Sequence, residues 1–220
     1  MKEVILYGNE AVARELYCFL TQFSDYAVAG FTVDKDCIHQ AHLYDLPVIP
    51  FESVTESFPP DSYTMFIAVG YVDNNRLRAA RYRQAKEMGY SLTSFASSRS
   101  TVYYDAVIGD NCFIGHNCCV APNARIGNNV IIGNGCSIGH DADISDNCFL
   151  SNDVSISGSV TIGSNCYLGT NATIRNKIVI GNECVIGAGA VVLESIDDRS
   201  VVMGEPARLL PITSDKLPLG

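Results

Sequence analysis

"AVIGDNCFIGHN", residues 106–117, repeats itself after six residues, and that period decides the fold. Ile108 and Ile114 head a series that runs through Val120, Ile126, Ile132, Ile138, Ile144, Leu150, Ile156, Ile162, Leu168, Ile174, Ile180 and Ile186 to Val192. Fifteen consecutive sixth positions are branched aliphatics, and Val102 extends the series backwards. Four residues after each stands a second, mostly small apolar series: Cys112, Cys118, Ala124 and Val130, continuing in the same way to Ala190 and Ile196. Gly, Asn, Asp and Ser fill the places between, and these are turn-forming residues. Short strand, bend, short strand in fixed register is the grammar of a parallel β-solenoid.

The first hundred residues follow another grammar. "EVILYG" is a buried-strand run, and "EAVARELYCFLTQF" has helical spacing. "YAVAGFTVD", "LPVIPF" and "YTMFIAVG" read as further strands, "NNRLRAARYRQAKEMGY" as a polar helix and "SLTSF" as a last strand. Alternating strands and helices predict a small Rossmann-like parallel α/β domain over 1–97. The solenoid is expected over 98–200, with the boundary near "ASSRS" (96–100) and a tail over 201–220.

The totals limit the function. Of 220 residues 47% are hydrophobic and 18% charged, and no apolar run approaches the length of a membrane span. "MKEVILYG" has the wrong length and flanks for a signal peptide, because polar "GNEAVARE" follows at once. The net charge of -9 argues against nucleic acid or an acidic membrane as partner. Nine cysteines, an odd number with no Cys-x-x-Cys pair, point to a reducing cytoplasm rather than a disulfide framework.

The solenoid resembles the hexapeptide-repeat acyltransferases, whose repeat is an aliphatic residue, often Gly, two variable positions and a small residue; "VIGAGAVV" is a further instance. The resemblance implies a left-handed parallel β-helix with three hexads per coil, a handedness that the right-handed crossover rule would not give. With eighteen residues per coil, Cys148, Cys166 and Cys184 stack inward, as do Cys118 and Cys136, so these thiols read as core fillers.

Nearly the whole chain is similar to one branch of that family, which joins a nucleotide-sugar domain to the solenoid and acetylates sugars for bacterial surface glycans. That branch includes bacillosamine and perosamine N-acetyltransferases and the sialic acid O-acetyltransferase type. The resemblance rests on "ILYGNEAVARE", "FIAVGYVDNNRLR", the His140–Asp141 pair and the closing "GEPAR", residues 204–208. It implies acetyl-CoA as co-substrate without a metal, a nucleotide-sugar acceptor, a homotrimer with sites between subunits, and a cytoplasmic bacterial enzyme. Amine and hydroxyl acceptors stay open, and a non-catalytic solenoid is the rival of a different class.

Within "SIGHDADI" (137–144), His140 stands two places after Ile138, at a corner where side chains point outward. Neutral imidazole can take the proton that an attacking amine must lose, and a neighbouring carboxylate can hold its tautomer. Asp141 is the first candidate for that carboxylate and Asp143 the second. His116 holds the same hexad place without acidic company and is expected to be a solvated turn residue. Gly158, eighteen residues beyond His140, would offer a backbone amide to the oxyanion, and the resemblance supports that position. Lys177, Ala188, Arg199 and Arg208 are the candidates for coenzyme A. Gly8, Asn9, Asp34, Gly70 and Arg78 are the candidates for the nucleotide sugar.

Two departures stand out. Glu10 and Ala11 occupy places where nucleotide-binding turns of this kind have Gly, and Phe149 stands where the branch often has a second His. A zinc enzyme would need about three His at one site, whereas the solenoid has two, four hexads apart. Cys119 lies outward but without an adjacent base, so direct transfer is expected rather than a covalent acyl-enzyme.

Overall fold

The structure, a computed structural model, describes residues 2–208. Its N-terminal part is a five-stranded sheet built from β1 (Lys2–Tyr7), β2 (Tyr26–Val33), β3 (His42–Leu43), β4 (Leu46–Pro50) and β5 (Thr64–Ile67), in the order β3-β4-β2-β1-β5. All neighbours are parallel except the short β3–β4 hairpin. Val4, Ile5 and Leu6 of β1, an interior strand, are wholly buried, as a strand covered on both faces requires. Helix α1 (Ala11–Phe23) turns Ala13, Leu16, Phe19 and Leu20 inward at helical spacing. A short helix, α2 (Val54–Ser57), and the long polar α3 (Arg76–Glu87) complete this part.

The expected last strand, "SLTSF", does not form as one element. Leu92 makes a single bridge to Met65 of β5, whereas Phe95–Ala96 pairs with Phe113–Ile114 and starts the solenoid. The two ends of this pentapeptide therefore serve different cores.

From Phe95 the chain winds into three parallel sheets. The first face stacks six strands (Thr101–Val102 to Val191–Val192), the second five (Val107–Ile108 to Val179–Ile180) and the third seven (Phe95–Ala96 to Val201–Val202). Register confirms the coil length: Cys119 pairs with Ser137, eighteen residues on. Both repeat series point inward, and nearly all members are buried. Burying each aliphatic contributes roughly 1.5–3 kcal/mol, so the stacked column is a continuous stabilising core. The six cysteines of the inward series are buried and free, packed as Ala and Val are elsewhere.

Ile196 departs from the expected series. It pairs with Ile180, sixteen residues earlier, and so stands in the large-aliphatic column rather than the small one. The last coil is two residues short, and Val201 accordingly pairs with Val185.

The corners explain the many asparagines. Asn111, Asn117, Asn123, Asn129, Asp141 and Asn147 are among the corner residues that adopt φ between 51° and 63°. Asn and Asp tolerate this left-handed conformation better than most residues.

The sheet domain does not sit at the end of the solenoid but along its third face. Phe113 and Ile131, outward on that face, share one apolar cluster with Leu16, Phe19 and Phe66. The Asn111 side-chain oxygen accepts from the Ile67 N–H at 2.8 Å, on one flank of the seam. On the other flank His116 is no solvated turn residue. Its Nδ1 lies 2.6 Å from Ser97 Oγ, and its ring packs against Phe19 and Phe23 at 5.4 and 4.8 Å.

Candidate active site

The corner between the first and second faces lies opposite the face that carries the N-terminal domain. Coil by coil it presents Tyr104, Pro122, His140, Gly158 and Asn176, as the strand registers on either side dictate. His140 Nδ1 lies 2.8 Å from Asp141 Oδ2. The hydrogen bond from His140 holds the Asp141 carboxyl below its ordinary range, with the Asn123 side chain acting in the same direction. An ionised carboxylate only accepts, so Nδ1 carries the proton and Nε2 presents its lone pair. Both side chains are more than half exposed, at 65% and 53%. Asp143, two residues on, belongs to the second face opposite Arg125 and makes no bond to His140.

Gly158 lies directly against the imidazole. A Cβ built there would stand 2.5 Å from His140 Nε2, closer than real side chains approach. The corner also leaves its amides free. Elsewhere, side chains one coil up cap the corresponding N–H groups, as Asn134 does for His116 at 2.7 Å and Asn182 does for Ser164 at 2.9 Å. Glycine has no side chain with which to cap His140. Among the described residues no protein acceptor takes the Gly158 N–H either. The corner therefore sets a hydrogen-bond acceptor, Nε2, beside uncommitted donors, which is what an acyl transfer needs.

The remaining candidates scatter over the fold. Lys177 shares the corner, two coils above Asp141, and its N–H donates to the Gly158 carbonyl at 3.1 Å. Arg199 stacks instead above Glu183, donating its N–H to Asn182 at 2.7 Å, at the corner joining the second and third faces. Ala188 is exposed at the third corner, where Gly204 of the closing motif lies against its carbonyl. Arg208 is exposed and 4.0 Å from Glu205. Two residues were missed at the His140 corner: Asn123, one coil below Asp141, and Arg175, beside Lys177. Counting eighteen back from Asp141 finds the first, and the second directly follows the strand Thr173–Ile174.

In the sheet domain, Gly8 (φ 129°) is required by close approach, since a Cβ there would come within 2.6 Å of the Ala68 carbonyl. Gly70 lies in the loop after β5. These two residues flank the carboxyl ends of β1 and β5, where the strand order reverses and ligands bind in open α/β sheets. Asn9 donates to the Cys37 carbonyl at 3.1 Å. Asp34 is engaged by Arg81, whose Nε lies 2.9 Å from Oδ1, and by Tyr7 at 2.7 Å. These partners hold its carboxyl below the ordinary range against the opposing effect of burial. Sequence reading missed Arg81, because the pair links the end of β2 to a helix more than forty residues on.

Arg78 is corrected outright. It is fully buried and contacts five backbone carbonyls rather than an open crevice. Burial pulls its guanidinium down to about 10, so it remains charged at neutral pH. The Phe149 that replaces a second His lies on the covered third face, within a cluster with Tyr71 and Tyr167, and not at the His140 corner.

Comparison with known proteins agrees with the fold. The family model described as bacterial transferase hexapeptide (six repeats) matches residues 105–140 and 141–176. That of the hexapeptide repeat of succinyl-transferase matches 159–194. Residues 105–194 thus match hexapeptide-repeat models, in keeping with a left-handed β-helix of such repeats joined to an α/β domain. Among solved structures it is similar to a mutant perosamine N-acetyltransferase from Caulobacter crescentus in complex with CoA and GDP-perosamine (TM-score 0.83, 23% identity, covering 94% of this chain and 96% of that one). It is also similar to the acetyltransferase domain of PglB from Neisseria gonorrhoeae in complex with acetyl coenzyme A (0.81, 25%, 95% and 99%). WeeI from Acinetobacter baumannii is a third (0.79, 22%, 96% and 100%). No curated protein matches the sequence. Among the described residues no group of three His, Cys, Asp or Glu could hold a metal ion, and no helix is long and apolar enough to cross a membrane.

Proposed function

We propose that the protein transfers the acetyl group of acetyl-CoA to the amino group of a nucleotide-linked deoxyamino sugar, for a bacterial surface glycan. The observation that carries this reading is the His140–Asp141 pair set against the free amide of Gly158. The sugar amine attacks the thioester carbonyl while Nε2 of His140 takes its proton. Asp141 stabilises the imidazolium, and the Gly158 N–H donates to the oxyanion. Collapse of the intermediate breaks the carbon–sulfur bond, and His140 returns the proton to the departing thiolate. Arg175 and Lys177, two coils above, supply positive charge toward the anionic co-substrate. The acetyl-CoA and GDP-perosamine held by the similar structures support both substrates, and the amine acceptor over a hydroxyl. Six free, buried thiols suit the reducing cytoplasm, where acetyl-CoA is made.

One chain cannot complete this site. Its sheet domain lies on the third face, and His140 lies on the opposite corner, so an acceptor held by one domain reaches the His140 of a neighbour. The first face, with Thr101, Ser137, Ser155 and Thr173 outward, is small and flat enough to pack against a second copy. We therefore expect a homotrimer with shared sites. The test is a thermal-shift screen of GDP- and UDP-linked deoxyamino sugars with acetyl-CoA present, on protein whose mass is taken by light scattering. A ligand selective for the folded form raises the midpoint by mass action. Three chains and a sugar-selective shift are expected. The mass of one chain, 23.8 kDa, would remove the shared site, and no shift with any sugar would remove the acceptor class.

A further inference from the structure

A wholly buried arginine without a counter-ion needs a reason, because desolvating its charge costs several kcal/mol. Among the described residues Arg78 forms no ion pair. Its fork reaches two bodies instead. Toward the sheet domain, one terminal nitrogen lies 3.4 Å from the Val69 carbonyl, 3.0 Å from that of Gly70 and 2.9 Å from Asn75 Oδ1. Toward the solenoid, the other lies 2.9 Å from the Asn147 carbonyl and 3.0 Å from that of Cys148, with Asn129 shared at 3.3 Å.

The loop so gripped is costly in itself. Asp73, Asn74 and Asn75 are three consecutive left-handed residues, with φ of 47°, 47° and 68°. Such backbone persists where its surroundings over-determine it. Here the solenoid does so: Asn74 donates to the Glu183 carbonyl at 3.0 Å and buried Asn75 to that of Cys166 at 3.2 Å. Val69 and Gly70 follow shortly after β5, at the end of the sheet where Gly8 follows β1 and where open α/β sheets bind their ligands.

We propose that Arg78, with Asn75, is a positioning residue: it uses the solenoid as a template to hold the 69–75 loop in the shape that binds the nucleotide diphosphate of the acceptor. The crevice is thus completed by the docked solenoid rather than by the sheet domain alone. This rests on the nucleotide-sugar reading above. A lysine cannot span both bodies, since it lacks the planar fork.

The test uses the full-length protein with GDP and UDP as probes in calorimetry, and acetyl-CoA as the internal control. Wild type is expected to bind one of the two nucleotides. Arg78→Lys is expected to weaken that binding at least about tenfold while acetyl-CoA binding stays within twofold, and to speed amide exchange in residues 69–75. If Arg78→Lys does not fold, Asn75→Gly keeps the left-handed backbone and deletes both side-chain bonds, and should weaken nucleotide binding several-fold. A folded variant with unchanged nucleotide binding, or with both ligands weakened alike, overturns the proposal. A wild type that binds neither nucleotide, with or without an amino sugar attached, overturns the acceptor reading and this proposal together.

Discussion

His140→Ala is expected to slow acetyl transfer by about 10²- to 10⁴-fold, the range for loss of a general base, while acetyl-CoA binding stays near wild type. The imidazole is 65% exposed and its one side-chain bond goes to its exposed neighbour Asp141, so its removal should cost little stability. Asp141→Asn should keep the fold but lose the carboxylate that fixes the tautomer, and its rate should fall between those of wild type and His140→Ala. His116→Ala is the informative control, though not a silent one. Because His116 bonds Ser97 and packs on Phe19 and Phe23, its loss should lower the melting midpoint while the folded fraction keeps its turnover. Rates are therefore compared per folded molecule. Equal activity of the His140 and His116 variants would make His140 a turn residue.

Gly158→Ala is expected to cost roughly 10²-fold, the scale on which a displacement of about 1 Å at a catalytic group is felt. Its backbone is not left-handed, so alanine is locally tolerated, and the penalty comes from the methyl group meeting the imidazole at 2.5 Å. The ring must move, and Nε2 leaves its place beside the Gly158 amide. Residues that act as one unit are not additive. Adding Gly158→Ala to His140→Ala should therefore slow the enzyme little further. A Gly158→Ala enzyme at wild-type rate would show that the imidazole can be displaced without loss, contrary to its role as base.

The solenoid was legible because each hexad repeats one local decision: an aliphatic inward, a small residue inward, a left-handed corner between. The docking of the sheet domain was not read, although its signal is present. Outward positions on the third face, Phe95, Phe113, Ile131, Phe149 and Tyr167, recur every eighteen residues and are large and apolar. Their first-face equivalents, Thr101, Cys119, Ser137, Ser155 and Thr173, are small. A period of eighteen within the period of six identifies the covered face. Arg78 was misread for a different reason. An arginine after a glycine loop suggests an anion ligand, and only tertiary structure shows that carbonyls from two coils and from its own loop claim its donors first. The pairing of Arg81 with Asp34 was likewise hidden, because nothing local links a strand end to a distant helix.

The account is tested most directly by the chemical identity of the product formed from acetyl-CoA and a GDP- or UDP-linked deoxyamino sugar. Mass spectrometry and proton NMR are predicted to show one added acetyl group with an amide proton, stable to hydroxylamine, and dependent on His140. An ester cleaved by hydroxylamine, or acetyl-CoA consumed with no acetylated sugar at all, would contradict it.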